Sequence, residues 1–273
     1  MNLAAQIAQE LGVRPEQVSA TITLLDEGAT VPFIARYRKE VTGALDDIQL
    51  RQLASRVDYI RDLDSRKKTI LSSIKEQGKL TEALANAIAS ADTKVLLEDL
   101  YLPYRPKRRS KAQAAREAGL EPLALQLLNT PCDPTQAARA FVNPEKEIAD
   151  TDAALAGAQQ IVIEQLSEQA ALLQRLRVWL WQNGIINVSV ARGKASENSK
   201  FRDYYDHQEA IRSMPSHRTL AMFRGNKEGE LKITLLPPES MMKEPIHIIT
   251  QHCRVPAGKG HRELWLQNCV DQT

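Results

Sequence analysis

Six basic side chains, Arg105, Lys107, Arg108, Arg109, Lys111 and Arg116, fall within twelve positions of KVLLEDLYLPYRPKRRSKAQAAREAG (residues 94–119). After Asp99 the only acid near them is Glu117. Cations at that density, with Tyr101 and Tyr104 beside them, suit the tracking of a phosphate backbone, the rings being placed to stack on bases. The same run also suits a solvated linker between two helical bundles. A second set, Arg36, Arg38 and Lys39, is interleaved with aromatic residues in PFIARYRKEVTG. There the commoner arrangement buries Phe33, Ile34 and Tyr37 and leaves the cations in water.

Other polar clusters offer less. FRDYYDH supplies Asp203, Asp206 and His207, with Arg202 adjacent. Asp203 and His207 stand four apart, so on a helix they would share a face and present two metal ligands. Two ligands do not make a site, and hydrogen-bonded packing at a helix end is the commoner role. His217, Arg218 and Arg224 in SHRTLAMFRGN read as structural. PAGKGH sets Lys259 between glycines but lacks the phosphate-loop spacing and the Ser or Thr after the lysine. No nucleophile elbow, dinucleotide fingerprint or triad stands in the chain. The sequence makes no positive case for an enzyme and implies no cofactor and no bound metal.

Helices must position nearly all of these residues. Apolar residues at Leu3, Ile7, Ala8 and Leu11 have helical spacing. Gly12 ends that helix and Pro15 opens the next, along which Val18, Ile22 and Leu25 line one face. Ala8, Gly12, Val13 and Val18 resemble a helix-turn-helix layout. The second helix, however, carries no Arg or Lys to read base edges, which favours a packed hairpin over a DNA reader. Thr30 and Pro32 open a helix closed by Thr42 and Gly43.

Asp46 or Asp47 caps a long helix to Gly78, with apolar steps from Leu50 to Ile74. About thirty residues would make a rod of about 45 Å. Thr81 and Asp92 cap two more helices, and Pro103 and Pro106 make residues 102–110 an extended, stiff connector. It leads to a helix at Lys111, followed by one over residues 122–129. TPCDPTQ and NPEKEIADT are loops between helices, and helix resumes from Thr151 to Gly184. Trp179 and Trp181 lie on different faces there, so both are not core. From Gly184 the pattern changes: residues 185–191 and 230–236 read as strands, residues 200–207 and 215–224 as short helices. Helical patterns return near Ile246 and Leu264. The fold class is therefore mainly α: an elongated multi-helix region over residues 1–184, with helix-turn-helix-like hairpins and one long helix, then a mixed segment over 185–273 with a small β element. The last helical pattern meets no stop signal before Thr273, as expected of a piece of a longer protein.

Composition narrows the partners. A net charge of +2 on 273 residues is nearly balanced, so any affinity for nucleic acid must come from local patches. Cys132, Cys253 and Cys269 are few and scattered, which argues against a disulfide framework or a thiolate zinc site. No apolar run approaches a membrane span of about 20 residues. The N-terminus lacks the basic region of a signal peptide, and a cytoplasmic protein is expected.

Three long stretches, in order, are similar to the Tex family of bacterial transcription accessory proteins: LLDEGATVPFIARYRKEVTGALDD, LEDLYLPYRPKRRSKAQAAREAGLEPLA and KFRDYYDHQEAIRSMPSHRTLAMFRGNKEGEL. The similarity runs from about residue 6 to residue 236. It implies relatedness to a eukaryotic transcription elongation factor and histone chaperone. It also implies a helical N-terminal region followed by an RNase H-like domain, a helix-hairpin-helix module and a C-terminal OB-fold RNA-binding domain. In such a protein this chain is the first part, and RNA or DNA is bound chiefly through domains beyond it. RNA polymerase or other transcription proteins are further partners consistent with the resemblance. No catalytic residue carries over. Two roles for the chain itself follow: an accessory nucleic-acid surface built on Arg105, Lys107, Arg108, Arg109 and Lys111 with Arg36, Arg38 and Lys39, or a scaffold that orients downstream domains.

Overall fold

The computed structural model describes residues 3–107, 109–255, 258 and 260–273. Among them are fourteen α-helices and one three-stranded antiparallel sheet, the mainly α class expected. Arg108 and Lys259 lie outside the described residues. The chain forms two compact units, Met1–Tyr101 and Leu102–Thr273.

The first unit is built on a helical spine. α1 (Leu3–Leu11) and α2 (Pro15–Asp26) form the expected hairpin, turned by Gly12 at φ 66°. α3 (Val31–Tyr37) follows, then α4 (Asp47–Glu76), 30 residues long. Asp46 caps α4 by accepting from the Gln49 amide at 2.7 Å, while the Asp46 amide donates to the Gln49 side chain. Leu50, Leu53, Val57 and Ile60 of α4 are buried together with Ile7, Ala8, Val18 and Ile34. α5 (Glu82–Ser90) and α6 (Lys94–Tyr101) pack along the later turns of α4. The cap of α6 is Thr93 rather than the expected Asp92: its hydroxyl accepts from the Leu96 amide at 3.2 Å. Thr93 directly precedes the first helical residue, which is the position a capping side chain must occupy.

In the second unit, α7 (Lys111–Glu117), α8 (Glu121–Asn129) and α9 (Pro134–Ala138) pack against α10 (Thr151–Ser167). α9 begins inside the stretch expected as a loop and runs past its end, because Asp133 caps it and Pro134 suits its first turn. Leu123, Leu127, Ala158, Ile161 and Val162 fill that core. The connector over residues 102–110 is not extended throughout, since Leu102–Tyr104 forms a turn of 3₁₀ helix. Proline is admitted there because an early position of a short helix has no amide partner to lose.

α11 (Ala170–Asn183) leads into β1 (Ile185–Val190), where Ile186 and Val188 are buried. β2 (Asp206–Ala210) and β3 (Leu231–Leu236) flank β1, with Val188 opposite both His207 and Ile233. β2 corrects the helix expected over residues 200–207, of which only a 3₁₀ turn at Arg202–Tyr204 forms. Asp206 and His207 are recruited by the exposed edge of β1, a tertiary pairing that local pattern does not show. Asp203 and His207 consequently share no helix face. Among the described residues no cluster of three or more metal-ligating side chains forms. α12 (Ser216–Lys227) covers the sheet, and α13 (Glu244–His252) and α14 (His261–Asp271) complete the unit. Among the described residues, no helix is long and apolar enough to cross a membrane.

α12 runs through Gly225 instead of ending there. This glycine serves packing: a Cβ on it would lie 2.6 Å from Leu231 Cδ1 and 3.1 Å from Phe201 Cγ. Alanine ordinarily stabilises a mid-helix glycine site by about 1 kcal/mol, whereas overpacking a core costs about 1–3 kcal/mol. Gly225→Ala should therefore lower the urea unfolding midpoint. A raised midpoint would show that Leu231 and Phe201 can move aside.

Candidate nucleic-acid interface

The basic connector is held by carboxylates of its own unit. Ser110 caps α7, its Oγ accepting from the Gln113 amide at 3.0 Å while donating to Glu164 Oε1 of α10 at 3.0 Å. Arg116 Nη1 donates to the other Glu164 oxygen, and its Nε lies 3.6 Å from Glu121. Lys107 Nζ bonds Glu168 and stands 3.6 Å from Glu164. Arg109 Nη2 pairs with Glu117 at 2.9 Å on the more exposed side. Burial opposes the charged form of Glu164, but hydrogen bonds from Arg116 and Ser110 and the charges of Arg116 and Lys107 outweigh it. The net pKa is lowered. Of the connector's cations, Arg105 and Lys111 alone lack a carboxylate within ion-pair distance among the described residues, and both are exposed.

The second basic set lies in the first unit. Thr30 leads into α3 in extended conformation, and Pro32 fits its first turn. The helix stops at Tyr37, well short of Thr42. The backbone leaves helical geometry at Arg38, φ −129° and ψ 26°, and Thr42 folds back, its amide and its hydroxyl both donating to the Arg38 carbonyl at 3.1 and 3.2 Å. Gln17 Nε2 of α2 donates to the carbonyls of Thr42 and Gly43 at 3.2 and 2.9 Å. Arg38 and Lys39 thus sit on a pinned turn rather than on a helix.

Burial also differs from expectation. Ile34 alone of the three apolar residues enters the core, while Phe33 and Tyr37 remain 42% and 56% exposed. Positions 33 and 37 stand one helical turn apart, and it is Ile34 that is buried with Leu50 and Leu53 of α4. The two rings lie 5.3 Å apart, tilted by 48°. The Arg36 guanidinium stands 5.9 Å from the Tyr37 centroid and that of Arg38 5.6 Å from Phe33. No carboxylate among the described residues pairs with Arg36, Arg38 or Lys39. Arg14 also reaches this turn, since a Cβ on Gly43 would lie 3.1 Å from its Nη2. Nothing in its sequence spacing marks Arg14, because it arrives through the fold of the α1–α2 hairpin.

Family comparisons agree with this architecture. Residues 129–273 match the model described as Tex central region-like, and residues 1–75 match the Tex-like protein N-terminal domain. The chain belongs to the Tex family. It is 50% identical over 275 residues to Protein YhgF of Escherichia coli strain K12, covering 98% of this chain and 35% of that protein. It is 49% identical over 279 residues to Transcriptional accessory protein Tex of Neisseria gonorrhoeae, covering 100% of this chain and 36% of that protein. A more distant relative, S1 RNA-binding domain-containing protein 1 of Homo sapiens, is 27% identical over 228 residues, 80% of this chain and 23% of that protein. The chain thus spans about a third of the length of the bacterial Tex relatives it matches.

Because the Glu164 carboxylate has a lowered pKa in the folded chain, its stabilisation is complete above the ordinary value of 4.5 and is lost as pH falls through the folded value. Thermal melts should hold from neutral pH down to about 4.5 and drop as pH falls below that value. Glu164→Gln should lower the melting temperature at pH 7 and shrink that acid-side drop. An unchanged drop would assign acid sensitivity to other carboxylates.

Proposed function

We propose that this chain is the N-terminal helical part of a Tex-type transcription accessory protein that binds RNA or DNA, and that it contributes an accessory basic surface. In this reading residues 1–184 supply the helical part and residues 185–273 lead toward a downstream RNase H-like domain. The role is one of binding, without catalysis, in the cytoplasm. The observation that carries it is a partition of charge. Lys107, Arg109 and Arg116 are neutralised within the fold, whereas Arg36, Arg38 and Lys39 in one unit and Arg105 and Lys111 in the other are exposed and pair with no carboxylate among the described residues. Cations left unpaired on a nearly neutral protein are the ones available to displace counterions from phosphate.

A second reading, docking of a protein partner such as RNA polymerase or of a downstream domain, is favoured by α12. Its outer face exposes Leu220 at 71% and Phe223 at 54%. In the full-length protein, Leu220→Ser with Phe223→Ser should increase protease cleavage if a downstream domain covers them, and leave it unchanged if none does.

The primary reading is tested by fluorescence anisotropy with labelled single-stranded RNA and duplex DNA at several salt concentrations. Neutralising Arg36, Arg38 and Lys39 to Gln should weaken binding and reduce the salt slope by roughly one for each phosphate that is no longer neutralised. Arg105→Gln with Lys111→Gln tests the second set in the same way. Lys107→Gln should change binding little. Affinity and slope unchanged in both sets would overturn the reading.

A further inference from the structure

We infer that Phe33 and Tyr37 form a base-stacking platform that takes single-stranded nucleic acid in preference to duplex. The inference rests on the nucleic-acid reading above and adds the class of strand. Two large rings at i and i+4, 5.3 Å apart, stand on the outer face of α3 while Ile34 anchors that helix in the core. An exposed aromatic pair on a well-anchored helix has room for a stacking partner on its outer side. What fills it must tolerate cations, because Arg36 and Arg38 lean on the rings at 5.9 and 5.6 Å and Lys39 and Arg14 stand at the adjoining turn. Glu40 is the single acid of that stretch. A nucleobase offers a π-face to ring and guanidinium alike, and its phosphates meet the cations. Bases within a duplex are already stacked on one another and leave these rings nothing to receive. The turn that carries Arg38 and Lys39 is fixed by Thr42 and Gln17, so the cations are held near the rings in the free protein.

The test compares three probes with the 273-residue chain: a single-stranded oligonucleotide, an abasic sugar-phosphate strand of equal length and charge, and a duplex. Phe33→Leu with Tyr37→Leu keeps apolar bulk and removes the ring faces. It should weaken the base-bearing strand by about tenfold and leave the abasic strand and the duplex unchanged. Arg36→Gln, Arg38→Gln and Lys39→Gln should weaken all three. If the leucine pair leaves the base-bearing strand unaffected while the glutamine triple weakens it, stacking is overturned and phosphate binding stands. If neither variant alters any probe, the platform is overturned and the nucleic-acid reading rests on Arg105 and Lys111 alone. Should the leucine variant melt abnormally, a strand carrying 2-aminopurine gives the answer with the unaltered chain: stacking quenches its fluorescence on binding, and unquenched binding overturns the platform.

Discussion

Glu164 is the constraint around which the second unit's charge is arranged. A carboxylate only 15% exposed cannot remain ionised beside an apolar core without hydrogen bonds and nearby positive charge. Ser110, Arg116 and Lys107 supply both, and each comes from the stretch that crosses from the 3₁₀ turn into α7. The carboxylate thereby fixes where the connector lies, and the connector makes burial of the carboxylate tolerable. Removing one side leaves the other uncompensated. This mutual dependence explains why a run of cations that reads as a binding surface is consumed largely by internal structure.

Much of the architecture is legible in the sequence because it rests on local rules. Asp46 or Asp47 announces the start of α4, the reciprocal bonds with Gln49 single out Asp46, and the apolar steps from Leu50 to Ile74 set the helix's length. Ile186 and Val188 alternate into the core as a period-two pattern requires. The departures share one cause, that tertiary contact outweighs the local signal. DHQEA is a poor strand by propensity and becomes one by pairing with β1. Gly225 resembles a stop signal and is instead a close approach between α12, Leu231 and Phe201. Thr42 and Gly43 do close their segment, but as the end of a turn, since the backbone has already left helical geometry at Arg38.

The candidate surface is legible only by half. Residue types and spacing identify the cations; they do not say which of them carboxylates will consume. Glu164 and Glu168 lie more than fifty positions from Lys107, so their pairing exists only once α10 has packed beside α7. The aromatic residues of α3 read as core because buried rings are common. Yet only Ile34 of α3 joins the core that α4 lines, and residue type alone does not show which side of a short helix its neighbours will cover.

The two exposed apolar surfaces differ in chemistry, and this decides what each suits. On α12, Leu220 is branched and aliphatic and has no flat face to offer a base. Phe223 stands next to Arg224, whose charge is engaged by Glu228 at 3.1 Å. Such a surface is satisfied by another apolar surface and gains little from phosphate. On α3 both residues are aromatic, and guanidinium groups lie near their rings with no carboxylate among the described residues to hold them. Burying that face in an apolar interface would strip water from Arg36 and Arg38 with no counter-charge provided, a costly step. A nucleic-acid strand brings the counter-charge with the stacking partner, so one ligand satisfies both demands of the α3 face.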